Sequence, residues 1–317
     1  MSQENPFLII KIRSLILWFL LGILGLLLLS AIGGIFWGIA ILFGNPDSQP
    51  PEIALNPLQQ NILLNVWLYG TILGWCGFQV WRSPLQIKPV IGTFRGTRDQ
   101  WRLLLLVIPT LLFSLGSGQL LFYGLAAFAP DRLESILQNS SLFLSAEDAS
   151  YSFAYNFFSA FVLIIVAPIV EECLFRGIIF QRFATRWKIG TAIIWSSILF
   201  GLLHFNPIGL AVFSVIATLL YLKTHTLIIP ILFHGINNGI VAIVSWSTLN
   251  LAVTQPSLDE VQSMATLGWG VGLMVISAPV LIWFIKQNWV KPEDILPYTH
   301  NLKTPVLPPR SPEDVQA

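Results

Sequence analysis

Residues Glu171–Gly177 read EECLFRG and place two carboxylates and an arginine directly behind the apolar run FVLIIVAPIV at 161–170. Charge in such surroundings is costly unless it is paired or used. Spacing already divides the labour. Arg176 is four residues after Glu172, so the two share a helix face and form an ion pair that holds Glu172 in place. Glu171 points about 100° away around the helix and is the freer carboxylate, a candidate general base, with Glu172 as an orienting residue. The alternative, in which the acidic pair merely opens a cytoplasmic loop, is weakened by GIIFQRF, which is apolar enough to carry the span on to Arg182.

The composition fits a chain built around such a site. Of 317 residues 55% are apolar, with 22 Phe and 12 Trp, and only 10% are charged, against about 25% in soluble domains. An all-α, polytopic membrane protein follows. The net charge of +1 supplies no basic field for nucleic acid. Cys76 and Cys173 match neither metal-ligand spacing nor a disulfide framework and are expected to be packing residues.

Eight spans can be traced: 15–43, 61–81, 103–129, 151–180, 189–205, 207–222, 226–249 and 265–285. The first is too long for a cleaved signal peptide and lacks a small-residue cleavage site. The eighth is followed by a polar tail from Lys286, ending in KTPVLPPRSP and beyond, with the composition of a disordered segment. A short surface helix is expected around DRLESILQ, after the third span. With both termini in the cytoplasm, 16 of the 17 Lys and Arg lie on that side or in a span opening towards it, Arg132 being the exception; the longer external loops carry Asp47, Glu52, Asp131, Glu134, Glu147, Asp148, Asp259 and Glu260. The sixth span is short and must be thin, oblique or shielded by its neighbours. The chain divides into a three-span region at 1–150, a core at 151–250, and a last span with its cytoplasmic tail at 251–317.

Two further motifs sit at a depth comparable to the glutamates. FGLLHF places Phe200 one turn before His204, so the ring can pack under the imidazole; HGINN places His234 and Asn238 on one face. Counted from the basic flanks, Glu172, His204, His234 and Asn238 lie roughly 14 to 24 Å deep. Gly235 and Gly239 would admit a neighbouring helix closely. Spans four, five and seven thus converge on a carboxylate, two histidines and an amide, an inventory for activating water and stabilising an oxyanion. Intramembrane ionisable groups also serve transport, binding and immunity proteins, which stands as the alternative. A proton or ion path would continue in both directions, yet the first three spans contain no Asp, Glu, Lys, Arg or His.

EECLFRG, FGLLH and HGINN resemble the EExxxR, FxxxH and HxxxN motifs of the CPBP family of intramembrane proteases, which includes the type II CAAX prenyl endopeptidases and bacterial proteins described as lysostaphin-resistance or abortive-infection proteins. The resemblance covers Tyr155 to Val244, with every signature position present. It implies a peptidase in which Glu171 activates water with His204 assisting, His234 and Asn238 meet the carbonyl oxygen, and Glu172, Arg176 and Phe200 support them. It also implies a hydrophobic or lipidated peptide or protein substrate, CAAX-type prenylated proteins included, and an integral place in a bacterial plasma membrane. The family has long been labelled metalloprotease. If zinc is bound, Glu171, His204 and His234 are the ligands, but HExxH is absent and a metal-free mechanism is preferred.

Overall fold

The computed structural model describes residues 5–25, 27, 28, 55–139, 142–145, 150–250 and 256–303. The second half of the first apolar run, Asp47, Glu52, Glu147, Asp148 and the end of the tail from Thr304 lie outside the described residues. In chain order the helices are α1 (Arg13–Gly25), α2 (Pro57–Arg82), α3 (Ile87–Ile91), α4 (Arg98–Phe128), α5 (Pro130–Asn139), α6 (Ser152–Ala184), α7 (Ile189–Leu202), α8 (Pro207–Thr224), α9 (Ile228–Asn250), α10 (Leu258–Val261), α11 (Met264–Asn288) and α12 (Pro297–Lys303). Six of them, α2, α4, α6, α8, α9 and α11, are long and apolar enough to cross a membrane, and α1 and α7 are shorter apolar helices. The fold is all-α and that of a multi-pass integral membrane protein.

Local chemistry sets where the helices start. Asn56 caps α2 reciprocally with Gln59, at 2.9 and 3.0 Å, with Pro57 in the first turn. Asn206 caps α8, accepting from Gly209 N at 3.2 Å with Pro207 next, and Ser263 caps α11. Each satisfies a backbone N–H that has no intrahelical partner. The short surface helix expected around DRLESILQ is α5.

Large apolar side chains point both ways. Trp75, Phe180, Phe200, Phe213 and Phe233 are fully buried, whereas Phe128, Phe153, Ile276 and Trp283 are largely exposed on the long helices, as suits a lipid-facing surface. The short α8 is shielded by its neighbours: half of its apolar window is buried, more than in any other candidate span. α4 and α11 come into close contact where Gly116 meets Gly270. A Cβ on Gly116 would stand 2.5 Å from the Gly270 carbonyl oxygen, so backbone packs on backbone there.

Two expectations are corrected. α7 stops at Leu202, so His204 lies in the α7–α8 turn, its N–H donating to Gly201 O at 3.0 Å, rather than inside a span reaching residue 205. The segment from Lys286 is ordered packing as far as Lys303: α11 continues to Asn288, and α12 docks on the basic side of the molecule. Tyr298 is buried edge-on against Phe7, and Asn301 Nδ2 donates to both Pro89 O and His225 O at 2.8 Å. Apolar side chains among polar ones (Leu296 and Tyr298 in KPEDILPYTHNLK) supply the burial that composition alone concealed.

His225 closes α8 in the left-handed region, φ 53°, and its ring stacks on His300 of α12 with centroids 3.8 Å apart. Burial, reinforced by the neighbouring His300 and opposed by Asp294, pushes the His225 imidazole down to about 4 from about 6.5. Between those values the released chain binds a proton that the docked one does not, so docking is strongest above about pH 6.5 and weakens as pH falls towards 4. Amide exchange at residues 297–303 should therefore speed up across that window, and His225→Asn, which tolerates the left-handed backbone, should flatten the response.

Candidate active site

α6 carries the two glutamates and is not a plain α-helix. It switches to π-type hydrogen bonding over Val162–Val166 and again over Cys173–Phe180, a widening that recurs at functional sites. Glu171 and Glu172 sit on the α-helical turn between the two.

Glu172 is fully buried, and its Oε1 accepts two hydrogen bonds, from Arg176 at 2.7 Å and from His234 Nδ1 at 2.9 Å. The guanidinium continues across the bundle, with its other terminal nitrogen donating to Ser214 O at 3.1 Å and Ser214 Oγ at 3.0 Å on α8. The Phe200 ring lies 4.9 Å beneath it. Glu172 Oε2 and Arg176 Nε take no partner from the described residues. One buried ion pair thus ties α6 to α8 and α9.

Glu171 is placed differently. Its Oε1 accepts from the Tyr69 hydroxyl of α2 at 3.3 Å. Its Oε2 faces His204 Nε2 at 3.7 Å, too far for a hydrogen bond, and no described protein group donates to it. His204 Nδ1 donates to Phe200 O at 2.7 Å, and because a carbonyl can only accept, the proton of a neutral ring is on Nδ1. Phe200 stacks under the imidazole, centroids 4.4 Å apart, as its spacing predicts. The Glu171 and His204 side chains keep 17% and 30% of their exposure, against none for Glu172.

Asn238 Nδ2 donates to Leu163 O at 2.9 Å, a carbonyl inside the first π segment, and Asn238 Oδ1 accepts from Asn237 at 3.2 Å. Gly235 lets that same segment close in, since a Cβ there would meet Ile164 O at 3.0 Å; among the described residues nothing lies within 4 Å of a Cβ on Gly239. α6, the α7–α8 turn and α9 therefore supply the residues foreseen from the motifs. Tyr69 and Ser214 were not foreseen. A single Tyr or Ser in an apolar span carries no motif, although a depth count would have flagged Tyr69: it lies about 20 Å from Arg82 along α2, level with Glu172.

Zinc was assigned Glu171, His204 and His234 as ligands should it bind. Among the described residues no three His, Cys, Asp or Glu side chains group in a way that could hold a metal. His234 instead turns Nδ1 to Glu172, so Glu171 and His204 face each other as a pair. The donor set does not fit a three-ligand zinc centre.

Removing Arg176 would strand a buried carboxylate. Arg176→Ala should lower stability by about 3–5 kcal/mol, read as an earlier thermal midpoint in detergent. Replacing both members, Glu172→Met with Arg176→Met, should recover much of that loss without restoring the tie to His234.

No curated protein and no solved structure matches the chain. Residues 153–240 match the family model described as type II CAAX prenyl endopeptidase, Rce1-like, and that stretch holds Glu171, Glu172, Arg176, Phe200, His204, His234 and Asn238. Over residues 153–240, then, this membrane protein is similar to the Rce1-like CAAX-protease family, and two glutamate–histidine pairs, Glu171–His204 and Glu172–His234, lie within that stretch.

Proposed function

We propose that the protein is an intramembrane endopeptidase that hydrolyses a peptide bond of a membrane-associated, hydrophobic or lipidated protein or peptide, CAAX-type prenylated proteins among them. The observation that carries this reading is Glu171 Oε2, a buried carboxylate oxygen that takes no hydrogen bond from the described residues, facing His204 Nε2 across 3.7 Å while His204 Nδ1 is engaged with Phe200 O. With the ring proton on Nδ1, Nε2 is an acceptor like the carboxylate oxygen, and a water lodged beside the two donates one hydrogen to each. Burying a polar oxygen without a donor is costly, so the pair is suited to recruiting that water.

In the proposed reaction the water oxygen attacks the scissile carbonyl while Glu171 takes a water proton. Tyr69 fixes the carboxylate through Oε1, which leaves Oε2 to act. The resulting oxyanion meets Asn238, whose amide nitrogen carries two hydrogens, one committed to Leu163 O. His234, fixed through Nδ1 by Glu172, joins in at the same oxygen only when Nε2 also carries a proton. Glu171 then passes the proton to the leaving nitrogen, the C–N bond breaks, and a new carboxyl and a new amine separate. Glu172, Arg176 and Phe200 position these groups without touching substrate. Residues 151–250 form the catalytic core in this reading, and the region before it contributes α2.

The orientation belongs to the same proposal: eight spans, counting α1 and α7, both ends cytoplasmic, in a bacterial plasma membrane. With an impermeant thiol reagent, Gln86→Cys, exposed just after α2, should react from the cytoplasmic side and Ser257→Cys from the other; reaction of both from one side would refute the topology.

Replacement of the base tests the chemistry. Glu171→Gln keeps the volume but cannot take a proton, so turnover should fall by about 100-fold to 10,000-fold with peptide binding retained. Asn238→Ala should lower the turnover number by roughly 100-fold to 1000-fold. Near-normal cleavage by Glu171→Gln would rule out the assignment.

A further inference from the structure

The α7–α8 turn that carries His204 stands at membrane depth. α7 has 14 residues, a rise of about 21 Å, and ends short of the roughly 30 Å of a hydrocarbon core. Irregular backbone at that depth is tolerated only where protein holds it. Apolar packing does little of this, since Leu202, Leu203 and Phe205 are each more than half exposed. The bond from His204 Nδ1 to Phe200 O fixes the ring to the end of α7, but it does not fix the turn to the rest of the bundle.

Asn206, two residues on, supplies that anchor, and its partners lie on α4. Its Nδ2 donates to Ser114 O at 2.7 Å and to Ser117 Oγ at 3.0 Å, while Oδ1 accepts from Gly209 N at 3.2 Å. Ser117 Oγ also stands 3.1 Å from Asn206 Oδ1 and 3.0 Å from Ser114 O, two acceptors for its one hydrogen. Ser114 O can only accept and Gly209 N can only donate, so the amide is held one way round. Capping α8 needs only the oxygen, a task that Ser, Thr or Asp also performs. The amide nitrogen does something else: it bridges to α4.

The bridge is tight. Ser117 is buried, and a Cβ on Gly209 would stand 2.6 Å from Ser117 Oγ and 2.9 Å from Ser114 Cα, so the first turn of α8 lies directly on α4. Phe205 adds a ring contact to Phe122 of α4, centroids 5.6 Å apart. α4 is seated in turn on α11 through Gly116, the residue before Ser117.

We propose that Asn206 and Ser117 are positioning residues for His204, holding the turn where His204 Nε2 faces Glu171 Oε2. The proposal rests on the protease reading. It brings α4, which lies outside the family-matched stretch, into the assembly of the site. Neither residue meets substrate; both act through the imidazole, and a reacting group misplaced by about 1 Å costs on the order of 100-fold in rate.

The test uses the full-length protein in detergent, with 15N at both ring nitrogens of histidine. The His204 signals are identified by their loss in His204→Gln. In the unaltered protein Glu171→Gln should shift the His204 Nε2 resonance. In Asn206→Ser, which keeps the α8 cap and removes the bridge, that response should fall by at least about half. Against a farnesylated peptide ending in a CAAX sequence, Asn206→Ser should lower kcat by about 10-fold to 100-fold with KM changed by less than about twofold, and Ser117→Ala should lower it by less. In a His204→Gln background Asn206→Ser should add no further loss, as a residue acting only through His204 must. If Asn206→Ser fails to fold, Ser117→Ala, which deletes one oxygen at a helical position suited to alanine, carries each reading. An Nε2 response unchanged by either folded variant, an unchanged kcat, or an equal further loss in the His204→Gln background would overturn the positioning role. Failure to cleave the peptide, or cleavage unaffected by Glu171→Gln, counts against the protease reading instead, and the Nε2 response then decides the α4 anchor by itself.

Discussion

The bond between Arg176 and Glu172, 2.7 Å long and shut away from solvent, is the constraint around which the domain is arranged. Neither charge could remain there alone. Satisfying them requires a carbonyl and a hydroxyl from α8, an imidazole from α9 and an aromatic face from α7. Three helices are thereby fixed against α6 by directional contacts, in a medium where apolar packing alone discriminates poorly between one helix arrangement and another.

Adjacent glutamates on one helix would ordinarily be redundant. Here a step of one residue places them in different surroundings. Glu172 is turned into the bundle, where both its contacts are cationic or aromatic-backed and hold it still. Glu171 is turned towards α2 and the α7–α8 turn, where a phenol holds one oxygen and the other faces an imidazole without a bond between them. The first supplies rigidity, and the second is left outside the ion pair because the first absorbs the structural task.

Much of this was legible in the residues. Helix class, the positions of the apolar segments and the roles of Glu172, Arg176 and Phe200 follow from i to i+4 spacing and from charge in apolar runs, because those signals are local. What escaped is non-local or unmarked. Tyr69 and Ser214 act across helices from positions where a hydroxyl is chemically unremarkable. The docking of α12 depends on Tyr298 and Asn301 finding Phe7, Pro89 and His225, contacts that no periodicity in a polar tail announces. The end of α7 before His204 depends on a turn whose sequence, LHFN, reads equally as more helix.

The π segments of α6 have a phasing consequence. A π turn is an α-helical turn widened to hold one extra residue, and the widening takes up the rotation of about 100° that the residue would otherwise add. Glu171 and Glu172 therefore keep their place around the axis only while the widened turn at Val162–Val166 persists. A substitution that drove residues 162–166 back to regular winding, with no residue removed, would turn both carboxylates by about 100° and withdraw the Leu163 carbonyl from Asn238. The register of the helix, as much as the identity of its side chains, thus fixes the geometry of the site.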